Sequence, residues 1–203
     1  MILERTVRQF VRGAIVTLMV AALSGGRAQT QQADQAGVDI QTKFASSGWM
    51  GDGEYGRKYI QFFGADRSNP HTRPESIKIT YKFGPARWGG IYWQNAPDNW
   101  GDVPGNNYSG KGFSKVSFWA RGEHGGEVVE FKAGGIERKN KQYRDSFSAT
   151  TGRLTLTRDW KPYTIDLAGA NLSSVIGGFC WVASADYNQS KQITFFLDDL
   201  IMQ

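Results

Sequence analysis

With one cysteine and two histidines in 203 residues, the chain has little material for several kinds of chemistry. Cys180 has no partner for an intramolecular disulfide. In the apolar run Phe179-Cys180-Trp181-Val182 it reads as a small buried hydrophobe. His71 and His124 are too few for the common Cys/His zinc patterns, and they give a catalytic thiol little support. The chain also lacks a Gly-x-Ser-x-Gly elbow, a phosphate-binding loop and a HExxH helix. No apolar run reaches the ~20 residues that a membrane-spanning helix needs. Glycoside hydrolysis by the common route requires two carboxylates flanking one bond. Glu127 and Glu130 stand three apart on an expected strand and so fall on opposite faces, while Asp98 and Asp102 sit in contexts typical of turn residues capping their own backbone. The expectation is a protein that is not an enzyme.

At the N-terminus, Arg5, Arg8 and Arg12 precede an apolar run from Gly13 to Leu23, and Gly26-Arg27-Ala28 supplies small residues for cleavage. Residues 1–28 therefore read as a secretory signal, and the mature protein as secreted or periplasmic. The formal charge of +5 loses four arginines and one glutamate with that segment, and falls to +2. The charge balance thus gives no reason to expect nucleic acid or a membrane as partner. The basic cluster Arg138-Lys139-Asn140-Lys141 with Arg144 is most simply a solvated loop, an acidic glycan as ligand being the other reading.

Residues 29–42 are polar and without periodicity, a flexible lead-in to one domain at 43–203. In that domain Ile77, Ile79, Tyr81 and Phe83 alternate with Ser76, Lys78, Thr80 and Lys82, the pattern of a half-buried antiparallel strand. Further strands are expected at 59–63, 90–94, 114–121, 127–133, 154–157, 163–167, 178–183 and 192–200. With 25 glycines and no helical period, these short strands predict an all-β sandwich.

The segment Gly89-Gly90-Ile91-Tyr92-Trp93-Gln94-Asn95-Ala96-Pro97-Asp98-Asn99-Trp100-Gly101-Asp102 sets flat aromatic faces beside amides and carboxylates. A pyranose has one apolar face that can lie on an indole, and hydroxyls that need donors and acceptors. Trp93 and Trp100 are the expected stacking platforms, with Gln94, Asn99 and Asp102 as hydroxyl partners and Tyr92 and Trp88 as further candidates. Core packing is the competing reading for any single ring. Strand parity puts Tyr92 and Gln94 on one face and Trp93 on the other. Arg121, Trp119 and Glu130 are candidates to extend the binding face from neighbouring strands.

Several strings together carry a resemblance: Ser47-Gly48-Trp49-Met50-Gly51-Asp52-Gly53, Gly89 to Gln94, Asn99-Trp100-Gly101-Asp102, Phe118-Trp119-Ala120-Arg121-Gly122, Gly134-Gly135-Ile136, Trp160 with Tyr163 to Leu167, Ile176-Gly177-Gly178-Phe179 and Phe195-Phe196-Leu197-Asp198-Asp199-Leu200. Over residues 46 to 201 the chain resembles the galactose-binding-domain-like jelly rolls of secreted bacterial carbohydrate-binding modules. The resemblance implies a jelly-roll β-sandwich that binds a polysaccharide or oligosaccharide. Its alternative is a structural or assembly module that binds another protein through the same surface. Strict alternation in the last strand would turn Asp199 toward the apolar layer unless a bulge intervenes. Related jelly rolls hold a structural calcium between first and last strands. The resemblance therefore makes Asp199 a candidate ligand, with Asp52 as partner, against a salt bridge or backbone N–H bonds.

Overall fold

The computed structural model describes residues 37–203, so the signal reading of residues 1–28 lies outside the described residues, as does 29–36 of the lead-in. The chain forms two antiparallel sheets. One contains β3 (Ile60–Asp66), β4 (Ser76–Lys82), β11 (Gln192–Met202), β6 (Lys115–Gly122) and β9 (Lys161–Asp166) in that spatial order, with the two-residue β1 (Val38–Asp39) also paired to β11. The other runs β2 (Ala45–Gly51), β5 (Trp88–Gln94), β10 (Gly177–Ser184), β7 (Val128–Gly134), β8 (Ser148–Thr155). The architecture is the expected jelly-roll β-sandwich.

Alternation decides what lies between the sheets. Ile77, Ile79 and Tyr81 point inward from β4 and meet Phe195 and Leu197 from β11, Phe118 from β6, and Phe131, Phe179, Trp181, Ile91 and Trp93 from the second sheet, all buried in one core. Burial of side chains this large is the main favourable term in folding. Phe179 anchors the centre, with its ring against Trp93 at 5.4 Å and Phe118 at 5.1 Å between centroids.

Three segments differ from the sequence reading. Residues 38–42, expected in the lead-in, belong to the fold: Val38 and Asp39 pair with Met202 and Ile201, and Asp39 caps a single helical turn, Ile40–Lys43 (α1), by accepting from the Gln41 N–H at 3.0 Å. The buried Ile40 fixes that turn to the core. Strand β2 was not expected, because Ala-Ser-Ser-Gly-Trp-Met-Gly lacks β-branched residues. The expected strand at 154–157 captures only the end of β8, an edge strand too polar and exposed to alternate.

Candidate functional site

Strand β5 turns Gly89, Ile91 and Trp93 inward and Trp88, Gly90, Tyr92 and Gln94 outward. Trp93 is thus corrected from platform to core: 2% exposed, its ring is held edge-on by Phe62 and Phe179 and has no free face. On the outward row Gly90 pairs with Met50 on one side and Val182 on the other. A Cβ there would stand 2.4 Å from the Trp181 carbonyl oxygen and 3.0 Å from the Met50 methyl, so the position requires glycine. Trp88 rises at one end of this low apolar floor, 42% exposed.

At the other end Tyr92 meets Trp100 edge-on at 6.0 Å, in a small cluster with Ile136, Ile176 and Cys180. The Tyr92 hydroxyl donates to the Gly134 carbonyl at 3.0 Å, and burial pushes its pKa upward. Tyr92 is only 7% exposed, so it supports Trp100 from below. Cys180 is buried as the sequence suggests, and desolvation raises its thiol pKa.

The loop that carries Trp100 is built around two buried amides. Asn99 Oδ1 accepts the backbone N–H groups of Gly101, Asp102 and Val103 at 3.0, 2.9 and 3.2 Å. Its Nδ2 donates to Asn95 Oδ1 and the Val103 carbonyl. Gln94 Nε2 donates to the Asn99 carbonyl at 2.8 Å, while its Oε1 accepts from the Ser47 hydroxyl at 2.8 Å. Gln94 and Asn99, expected as hydroxyl partners, spend their donors and acceptors on the loop itself and are 0% and 2% exposed. They shape the site from inside. Asp102 is exposed and paired with Lys141.

That pairing belongs to a contact between two loops. Gly101, at φ +112°, lets the chain at 141–143 approach so closely that a Cβ would lie 2.3 Å from the Tyr143 carbonyl oxygen; the Tyr143 N–H donates to the Gly101 carbonyl at 3.0 Å. Asp145 ties the base of the second loop to the sheet, accepting from the Ile136 N–H at 2.8 Å and from the backbone N–H groups of Ile176 and Gly177. Burial pushes its pKa up to about 6, a rise that the three backbone donors limit. The loop sets the Arg138 guanidinium 4.5 Å from the Trp100 ring centre and borders a hollow of about 640 Å³ lined by Arg138, Lys139, Lys141 and Arg144 with Glu137 and Gln142.

The Trp88 end has partners that the sequence reading missed. Ser184 pairs with Trp88, and three residues on, Tyr187 stands 51% exposed with the Arg153 guanidinium 3.9 Å from its ring centre. Arg153 projects on the same face as Glu130, which accepts from Thr150 at 2.7 Å and pairs with Lys132 at 3.2 Å. The available signal was an aromatic side chain in the polar turn Asp186-Tyr187-Asn188. Glu130 thus shares the face with Trp88, whereas Arg121 and Trp119 lie on the outer face of the other sheet and do not extend it.

The two candidate metal ligands lie in separate hydrogen-bond sets. Asp52 is 0% exposed and accepts from the Tyr81 hydroxyl at 2.6 Å and from the Gly84 and Ala86 N–H groups at 2.7 and 2.8 Å. Burial and this bond together push the Tyr81 hydroxyl pKa upward. Asp199 sits in a bulge of β11 at φ +52°, which breaks the alternation and turns its carboxylate to Arg73 Nε at 3.2 Å. Arg73 also reaches Asp39 at 3.0 Å and lies 3.7 Å from Asp198. A guanidinium thus supplies the positive charge among three carboxylates. Among the described residues, no group of three or more His, Cys, Asp or Glu gathers in a metal-holding arrangement.

No protein-family model matches the sequence, and no curated protein matches it. Among solved structures, a Family 30 carbohydrate-binding module is 17% identical over 82% of this chain and 97% of its own, with a TM-score of 0.52. The Family 11 carbohydrate-binding module of the cellulosomal cellulase Lic26A-Cel5E of Clostridium thermocellum is 12% identical, covering 82% of this chain and 92% of its own, also with a TM-score of 0.52. At these identities the likeness is one of fold: the chain has the β-sandwich fold of these modules.

Proposed function

We propose that the protein binds a glycan, without chemical turnover, on the outer face of the sheet that contains β5 and β10. The observation that carries this reading is the open row from Trp88 and Tyr187, over the floor of Met50, Gly90 and Val182, to Trp100. Apolar sugar faces suit such rings, and Glu130, Thr150, Lys132 and Asp102 stand along the same side for the hydroxyls. From Trp88 to Tyr92 the strand rises about 13 Å, room for more than one sugar ring. The likeness in fold to carbohydrate-binding modules supports the reading. The absence of catalysis is supported by the pairing of Asp102 with Lys141 and of the half-buried Glu130 with Lys132. Export by the N-terminal signal would place the protein where polysaccharides occur, and the N-terminal sequence of the protein recovered from culture tests that step.

The test is a glycan array followed by titration calorimetry on residues 29–203, with Trp88→Ala and Tyr187→Ala variants. Loss of affinity with an unchanged melting curve supports the reading. Wild-type affinity in both variants, or no glycan bound at all, sinks it.

A further inference from the structure

The cations around Trp100 are not balanced by their neighbours. Of the four on the loop after β7, Lys141 is paired with Asp102 and Arg144 with Glu137. Arg138 and Lys139 have no carboxylate within ion-pair distance among the described residues. Elsewhere Arg67 and Arg87 are matched with Glu75 and Asp186, and Arg153 rests on the Tyr187 ring, while exposed Arg158 has no carboxylate within ion-pair distance among the described residues. A freely moving loop would let like charges spread apart. This one is pinned at its base by Asp145, across its turn by the Lys141 N–H to Arg138 carbonyl bond at 3.0 Å, and at its side by the bare Cα of Gly101. The fixed backbone thus gathers these cations around one hollow, a concentration of positive charge that favours an anion. Arg138, over the Trp100 indole, keeps its N–H edge for an acceptor, and a guanidinium fork fits a planar carboxylate or two oxygens of a sulfate. The hollow of about 640 Å³ beside it is large enough for a sugar ring and its substituent.

We infer that the glycan is anionic, with a carboxylate or sulfate group seated at Arg138 and Lys139 while its neighbouring sugar units run along the face toward Trp88. The inference rests on the reading of that face as a glycan site. The shared chemistry is a fixed oxyanion on a saccharide, and polyuronates and sulfated galactans are its two sources.

The experiment is calorimetric titration of residues 29–203 with polygalacturonate and alginate as carboxylate probes, κ-carrageenan as sulfate probe, and laminarin and xyloglucan as neutral probes, at near-physiological ionic strength. The expected result is that one acidic class binds at least about tenfold more tightly than the neutral probes. The Arg138→Gln/Lys139→Gln variant should lose that preference, whereas Lys82→Gln/Lys191→Gln, which removes equal charge from a different hollow, should keep it. Trp88→Ala should weaken the acidic probe too. Tighter binding of a neutral probe overturns the anionic inference and leaves the glycan site standing; failure of every probe overturns both. Acidic binding that falls equally in the two charge variants, or ignores Trp88→Ala, marks diffuse charge attraction and overturns the inference.

Discussion

The two outer faces of the sandwich use the same kinds of residue to opposite ends. On the face formed by β4, β11 and β6, the connection between β3 and β4 lies across the sheet: the His71 ring stacks on Trp119 at 3.7 Å, and Trp160 Nε1 donates to the Asn69 carbonyl at 3.0 Å. Asp198 accepts from the His71 and Thr72 N–H groups at 3.0 and 3.2 Å. Arg121, 8% exposed, rests 3.7 Å from the centre of the Phe196 ring. Burial lowers the Arg121 pKa, with the charge of Asp66 opposing. His71, Trp119, Trp160, Phe196 and Arg121 of this face pack on one another, while Phe63 on the neighbouring β3 stays exposed and the buried Arg121 Nε has no hydrogen-bond partner. On the β5–β10 face no segment among the described residues crosses the floor between Trp88 and Tyr92, and Trp88 and Tyr187 remain open. Composition does not distinguish the faces; the path of one connection does.

Substitutions can break this comparison. The largest effect is expected from Trp93→Ala, about 3–5 kcal/mol of unfolding free energy in urea, with glycan binding reduced only as the fold is lost. A Trp93→Ala protein that keeps its stability but no longer binds would return this ring to the site. Next, Asp198→Ala should cost about 1–3 kcal/mol by leaving strap N–H groups unpaired, and should leave glycan affinity unchanged. If affinity falls while stability holds, the strapped face is part of the site.

Asp145 sharpens the comparison through pH. Its folded pKa of about 6 lies above the ordinary 3.8, so the folded protein holds this proton more tightly than the unfolded chain. The resulting stabilisation is complete below about pH 4, declines as pH rises toward 6, and is flat beyond. Relative to Asp145→Asn, the wild type should therefore lose unfolding free energy across that window; a constant difference from pH 4 to 7 would refute the assignment. Trp88→Ala comes next, with about tenfold weaker glycan binding, or 1.4 kcal/mol, and an unchanged unfolding midpoint. Calcium is the smallest effect. Melting curves in excess calcium and in chelator should coincide, because Arg73 already serves the carboxylates; a shift in chelator would revive Asp199 as a ligand.

The fold was legible where alternation is strong. Strand β4 and the cores of β6, β7 and β11 follow from period-two patterns and those of β5 and β10 from apolar runs, and Phe118 and, on β9, Ile165 are buried. Strands β2 and β8 were not legible, because their residues gain strand conformation from pairing with β5 and β7 rather than from their own propensity. The site was half legible. Parity placed Trp93 opposite Tyr92, yet only three dimensions show that Gln94 and Asn99 turn their polar atoms to the loop. Tyr187 and Arg153 are 34 positions apart and meet only because β8 pairs with β7 and β7 with β10. Asp199 escaped alternation through its bulge, a backbone event that side-chain pattern does not encode.

The pairing of Val38 with Met202 has a consequence for how the protein can be handled. Both ends of the folded domain leave from one spot in the sheet that does not carry Trp88. A bead, a dye or a fused enzyme attached after Gln203 would leave from the sheet that does not carry Trp88, so an immobilised form should still present Trp88 and Tyr187 to a polysaccharide.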